Sequence, residues 1–147
     1  MHDWLRQLRT VHYAMLHTGQ STIMGHRLRI ERSSVNDLRG AIRTFIEKRD
    51  WEQFHSPKNL AMALSVEVAE IVEHFQWLTE EQSRDLPPEK LVEVREEIGD
   101  VMIYLTELAD KLGIDPVEAA KAKVAINGQK YPAELVKGKA AKYTEYE

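Results

Sequence analysis

SPKNLAMALSVEVAEIVEHFQW, residues 56–77, decides the fold. It opens with a helix start, Ser56 as N-cap and Pro57 at the first helical position. At about 100° per residue, Leu60, Leu64, Ile71, Phe75 and Leu78 fall on one apolar stripe. Met62, Val66, Val68 and Val72 cover much of the rest. The spacing therefore predicts a mostly buried helix running to about Trp77. Glu67 and Glu70 lie at the edge of the stripe with apolar neighbours on both sides. Carboxylates in such surroundings are costly unless they meet a cation or take up a proton.

A second acidic pair, Glu97 and Asp100, stands in the next helical stretch. Residues three apart share one side of a helix. Each helix thus offers two carboxylates in one direction, and two such helices packed together make a cup of four. Oxygen-only ligands suit a hard cation such as Mg²⁺, which keeps several waters and shares itself with substrate phosphates. The pattern points to metal-dependent chemistry on a nucleotide or polyphosphate. The competing reading is a solvated acidic face. The helix carrying Glu97 is the less decisive one: Leu91, Val94, Ile98, Val101, Leu105 and Leu108 form its apolar stripe, with Glu93, Glu97, Asp100 and Tyr104 opposite. Glu73, Glu96 and His74 are candidates for outer groups that orient the ligands.

Four main helices are predicted. The first begins at Ser34, with Asp37 completing a capping-box-like pair, and carries Leu38, Ile42, Phe45 and Ile46 to about Arg49. Asp50 to His55 reads as an aromatic-rich turn. The second is the helix already described. Thr79 to Leu86 is a polar loop closed by Pro87-Pro88, and the third helix runs from Glu89 to about Leu112, where Gly113 fits a C′ position. Asp115-Pro116 opens the fourth, which fades near Asn127-Gly128, and from about residue 129 an extended tail is expected. The fold class is all-α, a helical bundle, with residues 34–147 as its domain.

Residues 1–33 differ. Arg6, Arg9, Arg27, Arg29 and Arg32 face only Asp3 and Glu31, and Trp4, Leu8, Val11 and Met15 have helical spacing. The expectation is a loosely attached, partly helical or flexible extension, or a start at Met24; an Arg-rich, acid-poor leader also fits a transit peptide. His2, His12, His17 and His26 lack metal-ligand spacing.

With 43% apolar and 30% charged residues, the composition is that of a globular domain. A net charge of −4 argues against nucleic acid as partner. The absence of cysteine excludes disulfides, thiolate catalysis and Cys-based zinc sites. No apolar run approaches the roughly 18 residues of a membrane span, so no membrane partner and a cytoplasmic protein are expected. Aromatics surround the acids: Trp51 and Phe54 before the second helix, Trp77 two turns after Glu70, Tyr104 two turns after Glu97. A base stacks on such rings at roughly 1–3 kcal/mol per contact. A di-iron bundle would need Glu-x-x-His pairs, and here both third positions are acidic. A non-catalytic helical interaction module is the remaining rival.

These residues resemble the all-α nucleotide pyrophosphohydrolases of the MazG-like superfamily, and most of all their dCTP pyrophosphatase branch. Glu67, Glu70, Glu97 and Asp100 match the superfamily's E-x-x-E, spacer, E-x-x-D. The branch is matched by Arg49-Asp50-Trp51-Glu52-Gln53-Phe54-His55, Pro57, Asn59-Leu60, Phe75-Gln76-Trp77, Ile103-Tyr104-Leu105, Tyr131-Pro132-Ala133 and Lys142-Tyr143-Thr144-Glu145. The resemblance covers about residues 35–147. It implies Mg²⁺ at Glu67, Glu70, Glu97 and Asp100, and a homo-oligomer, usually a tetramer built as a dimer of dimers. Trp51, Glu52, Gln53, Phe54, His55, Trp77 and Tyr104 would bind deoxycytidine. Ile42 stands where relatives carry a histidine near the substrate. The implied reaction is hydrolysis of dCTP, and of 5-substituted dCTP, to the monophosphate and pyrophosphate, a housecleaning role; dUTP or another triphosphate is the alternative substrate. Glu70 or Glu73 is the candidate to position the water. Lys123 and Lys130 are the candidate cations for the leaving group.

Overall fold

The computed structural model describes residues 34–140. The expectations for residues 1–33 and for Lys142 to Glu145 lie outside the described residues. The described chain is all-α: α1 (Val35–Glu47), α2 (Pro57–Phe75), α3 (Pro88–Lys111), α4 (Pro116–Lys130) and a single turn, α5 (Ala133–Val136). Among the described residues no helix is long and apolar enough to cross a membrane.

Local chemistry sets the ends. Ser34 and Asp37 form a full capping box, Asp37 backbone N–H donating to Ser34 Oγ at 3.1 Å and Ser34 N–H to Asp37 Oδ2 at 2.9 Å. Ser56 caps α2 through Asn59 N–H. Asp115 caps α4, accepting from the N–H groups of Val117 and Glu118 at 2.9 and 3.0 Å. α3 closes in a Schellman motif, Ile114 N–H to Ala109 C=O and Gly113 N–H to Asp110 C=O, with Gly113 at φ 66°. Nothing lies within 4 Å of a Cβ built at Gly113. Gly113→Ala is therefore expected to destabilise by the left-handed penalty alone, about 1–2 kcal/mol, measured by denaturant unfolding. The same paired bonds close α1, Trp51 N–H to Ile46 C=O and Asp50 N–H to Glu47 C=O. Asp50 takes the left-handed position at φ 54°, which aspartate tolerates better than most residues.

α3 is the spine, packed chiefly against α2 and then α1. Ile42, Ile46, Leu60, Ala63, Val94 and Ala109 form the buried apolar core. Three polar ties fasten the aromatic turn and α1 to the C-terminal half of α3. His55 Nδ1 donates to Glu107 Oε1 at 2.5 Å, both residues being buried. Lys111 pairs with Glu52. Arg43 grips Asp110 with two bonds of 2.7 and 2.8 Å.

Arg43 is the first cause holding the Asp110 carboxyl below the usual aspartate range. A depressed folded value contributes stability that is complete above the unfolded value, about 3.9, and lost as pH falls through the folded one. Arg43 is mostly exposed, so Arg43→Ala is expected to lower the urea midpoint only slightly at neutral pH. The difference from wild type should vanish in unfolding curves taken well below pH 4.

The structure differs from the sequence expectation in three places. α2 ends at Phe75, so Trp77 follows in a turn, 86% exposed, and does not continue the helix face of Glu70. α4 runs through Gly128 to Lys130, and α5 adds a turn where an extended tail was expected. On α3 burial is not confined to the expected stripe, of which Val94 is buried. Asp100, Thr106 and Glu107 are buried, while Leu91, Ile98 and Leu105 of the expected apolar stripe are exposed. Part of the polar side of α3 is drawn inward because Glu97 meets α2 there and the ties meet the aromatic turn and α1.

Candidate active site

Glu67 and Glu70 leave α2 one turn apart, and Glu97 leaves α3 opposite them. One carboxylate oxygen from each lies within 4.8 Å of those of the other two, and all three residues are half-buried. Asp100 follows Glu97 by three residues on the same side of α3 and is 6% exposed. It stands outside the triplet. The donor set fits a hard divalent cation: all ligands are oxygens, and at about 2.0–2.1 Å from Mg²⁺ two of them sit at most about 4.2 Å apart.

Tyr104 stands one turn beyond Asp100, half-buried. Burial first, then the charges of Glu67, Asp100 and Glu107, pushes its hydroxyl well above the ordinary tyrosine range. It stays protonated at all working pH values and is a hydrogen-bond donor beside the acids.

The remaining sequence candidates divide. Glu73 is exposed on α2 and does not join the triplet, whereas Glu70 does. His74 Nδ1 lies 3.6 Å from Glu93 Oε2, beside Lys90, which donates to Glu93 at 2.6 Å. Glu96 is half-buried on α3. In the aromatic turn, Trp51 is half-buried and meets the Phe45 ring edge-on at 5.7 Å, with the Arg49 guanidinium 3.6 Å over Phe45. Phe54 is exposed. Gln53 Nε2 donates to the Asp50 carbonyl and carboxylate at 2.9 and 3.1 Å, stiffening the turn. Glu52 and His55 are tied to α3 through Lys111 and Glu107. Lys123 and Lys130 lie on the exposed α4.

Sequence reasoning missed Glu107, Thr106, Arg43 and Asp110. They line a cavity of about 590 Å³ between α1 and α3, together with Ile42 and Ile46. The only signal in the sequence was that Glu107 extends the acidic face Glu97–Asp100–Tyr104 by one more turn.

Helices alone among the described residues, two of them packed so that an E-x-x-E pair meets an E-x-x-D helix, define a class. The chain belongs to the MazG-like family of nucleotide pyrophosphohydrolases, whose family model matches residues 62–146. Among individual relatives, mouse dCTP pyrophosphatase 1 is 42% identical over 114 residues, covering 76% of this chain and 67% of that protein. The human dCTP pyrophosphatase 1 is 40% identical over the same length, with the same shares. A crystal structure of a pyrophosphatase from Archaeoglobus fulgidus superposes with a TM-score of 0.63 at 39% identity, covering 76% of this chain and 99% of that one.

Proposed function

We propose that this enzyme hydrolyses dCTP to dCMP and pyrophosphate with Mg²⁺ bound by Glu67, Glu70, Glu97 and Asp100. The observation that carries the reading is the meeting of three carboxylates from α2 and α3 within 4.8 Å of one another, in a chain 42% identical to a dCTP pyrophosphatase. A bound divalent ion would neutralise phosphate oxygens and lower the pKa of the attacking water. Glu70, inside the triplet, is better set than the exposed Glu73 to orient that water and take its proton. Tyr104 keeps its proton and donates towards the substrate beside Asp100. Trp51, braced by Phe45, supplies a ring for the base, with Phe54 and Trp77 as further aromatic surfaces. Lys123 and Lys130 are the candidate cations for the departing pyrophosphate.

The same proposal includes 5-substituted dCTP as substrate, a housecleaning role in the cytoplasm, and a homo-oligomer, a tetramer by resemblance. Met62, Val68 and Val72 on α2 and Ile98, Met102 and Leu105 on α3 support an assembly, since each is at least 40% exposed in the single chain. Apolar faces of this kind commonly mark subunit contacts.

The experiment is a screen of deoxynucleoside and ribonucleoside triphosphates with the purified full chain. Release of pyrophosphate, fastest from dCTP and only with a divalent ion, is expected. Thermal shifts recorded with and without Mg²⁺ should show dCTP stabilising the chain only when the ion is present. No release from any triphosphate, with no ion-dependent shift, would favour a helical interaction module instead.

A further inference from the structure

The seam between α2 and α3 continues past the carboxylate triplet. His74 follows Glu70 by four residues and Glu93 precedes Glu97 by four, a shift of about 6 Å along each axis at 1.5 Å per residue. Residues four apart share a side of a helix. His74 Nδ1 stands 3.6 Å from Glu93 Oε2, so the two sides still face each other there. Lys90 brings its ammonium to the same place, donating to Glu93 Oε2 at 2.6 Å and standing 3.4 Å from His74 Nδ1.

Helix chemistry does not account for this lysine. Lys90 lies in the first turn of α3, where the helix dipole disfavours a cation. Its pair with Glu93 sets the cation N-terminal to the acid, the weaker order on a helix. The His74 side chain is 15% exposed and that of Glu93 50%. The ammonium is thus held between a mostly buried ring nitrogen and a carboxylate open to water. An anion arriving from solvent exchanges with Glu93 while His74 keeps the ammonium in place.

The cluster lies on the leaving-group side of the acids. Tyr104 stands seven residues beyond Glu97, towards the C-terminal end of α3, and the turn that carries Trp51 is tied to that end. In the proposed reaction the nucleoside is held there, and the outer phosphates run the other way along the seam. The Lys90 ammonium, level with Glu93, is one turn from Glu97 in that direction. It belongs to the helix that carries Glu97, unlike Lys123 and Lys130 on α4.

We infer that Lys90, set by His74, receives the β- and γ-phosphates of the substrate and stabilises the departing pyrophosphate. The inference rests on the proposed pyrophosphohydrolase activity and adds a residue to it. In that step the water oxygen bonds to the α-phosphorus and its proton passes to Glu70. The bond from the α-phosphorus to the bridging oxygen breaks, and its electron pair leaves on pyrophosphate, where the ammonium meets the added charge. Lys90 touches the substrate, and His74 is a positioning residue that acts through it.

The test measures inhibition of the full chain by inorganic pyrophosphate and by dCMP, with Mg²⁺, beside the kinetics on dCTP. In Lys90→Met the inhibition constant for pyrophosphate is expected to rise, and kcat/KM for dCTP to fall, at least about tenfold, the factor one hydrogen bond to a charged group commands. Binding of dCMP, which lacks both outer phosphates, should match wild type. Lys90→Arg keeps the charge and should recover most of the loss. His74→Phe keeps a ring without its nitrogen and should weaken pyrophosphate in the same sense, by less. Glu93→Gln removes the competing anion, so pyrophosphate should bind it at least as tightly as wild type.

Pyrophosphate inhibiting Lys90→Met as strongly as wild type overturns the inference while leaving the activity standing. So does a loss that falls equally on dCMP, or Glu93→Gln weakening pyrophosphate as much as Lys90→Met does, since either marks an ion pair that only supports the fold. If wild type releases no pyrophosphate from dCTP, the proposed activity itself fails. Calorimetric binding of pyrophosphate with Mg²⁺ then decides the site: binding weakened in Lys90→Met upholds it, and unchanged binding, or none to wild type, overturns it.

Discussion

Glu67→Ala is expected to lower Mg²⁺-dependent pyrophosphate release from dCTP by more than about a hundredfold, beyond the 10–100-fold that follows loss of a group merely supporting a metal ligand. Glu67 is one of three side chains whose oxygens meet across α2 and α3. Its removal takes away one of the three oxygens that would fix the ion's place against the substrate phosphates. The fold should survive, because Glu67 is only half-buried and belongs to none of the three ties that fasten α3. A second readout separates chemistry from folding. The rise in Tm that Mg²⁺ and dCTP give together in wild type should disappear in the variant, while the Tm of the metal-free protein stays close to that of wild type.

Leu60→Ala is expected to have the largest effect on stability, about 2–5 kcal/mol. Leu60 is 2% exposed in the first turn of α2, where the helix begins to pack against α3. Its truncation leaves a void in the core, and the neighbouring Asn59 Nδ2, which donates to Phe54 C=O at 2.8 Å, anchors the aromatic turn to the same stretch of α2. A domain of this size is stable by about 5–15 kcal/mol in all, so the urea midpoint should fall steeply. Leu60→Met conserves volume and should cost under about 1.5 kcal/mol. A small shift for alanine would mean that the first turn of α2 is not part of the core.

Much of this architecture is written in short-range chemistry. Ser34 with Asp37, Ser56 with Pro57, Asp115 with Pro116 and Gly113 after α3 each fix a helix end by satisfying backbone groups locally, and those ends stand close to where the sequence puts them. The acidic pairs are equally legible, because three-residue spacing fixes facing on any helix. What escapes is long-range. A helical wheel assigns α3 a single inside, the side of Val94, Ile98 and Leu105, yet only Val94 of these is buried. The other side is drawn inward by partners on other elements: His55 for Glu107, Arg43 for Asp110, Glu52 for Lys111. None of those pairings has a spacing signal, since the partners are more than fifty positions apart. The cavity against α1 is invisible for the same reason.

Small local effects decide the remaining differences. α2 stops at Phe75, with the Gln76 N–H bonded back to Val72 and the Leu78 N–H to Phe75. The chain turns there, and Trp77 leaves the face it would share with Glu70 on a longer helix. Gly128 does not end α4, because one glycine costs a helix only about 1 kcal/mol and the N–H of Tyr131 still reaches the carbonyl of Asn127 at 2.9 Å. His55 reads from sequence as a substrate contact, and its buried bond to Glu107 is a feature that no spacing announces.

The most direct measurement is a crystal structure of the full chain soaked with Mn²⁺ and a non-hydrolysable dCTP analogue, with anomalous scattering recorded at the manganese edge. The account expects a peak within coordination distance of oxygens from Glu67, Glu70 and Glu97, with phosphate oxygens completing the shell. Bound nucleotide with the manganese held elsewhere, and these three carboxylates facing water, would contradict it.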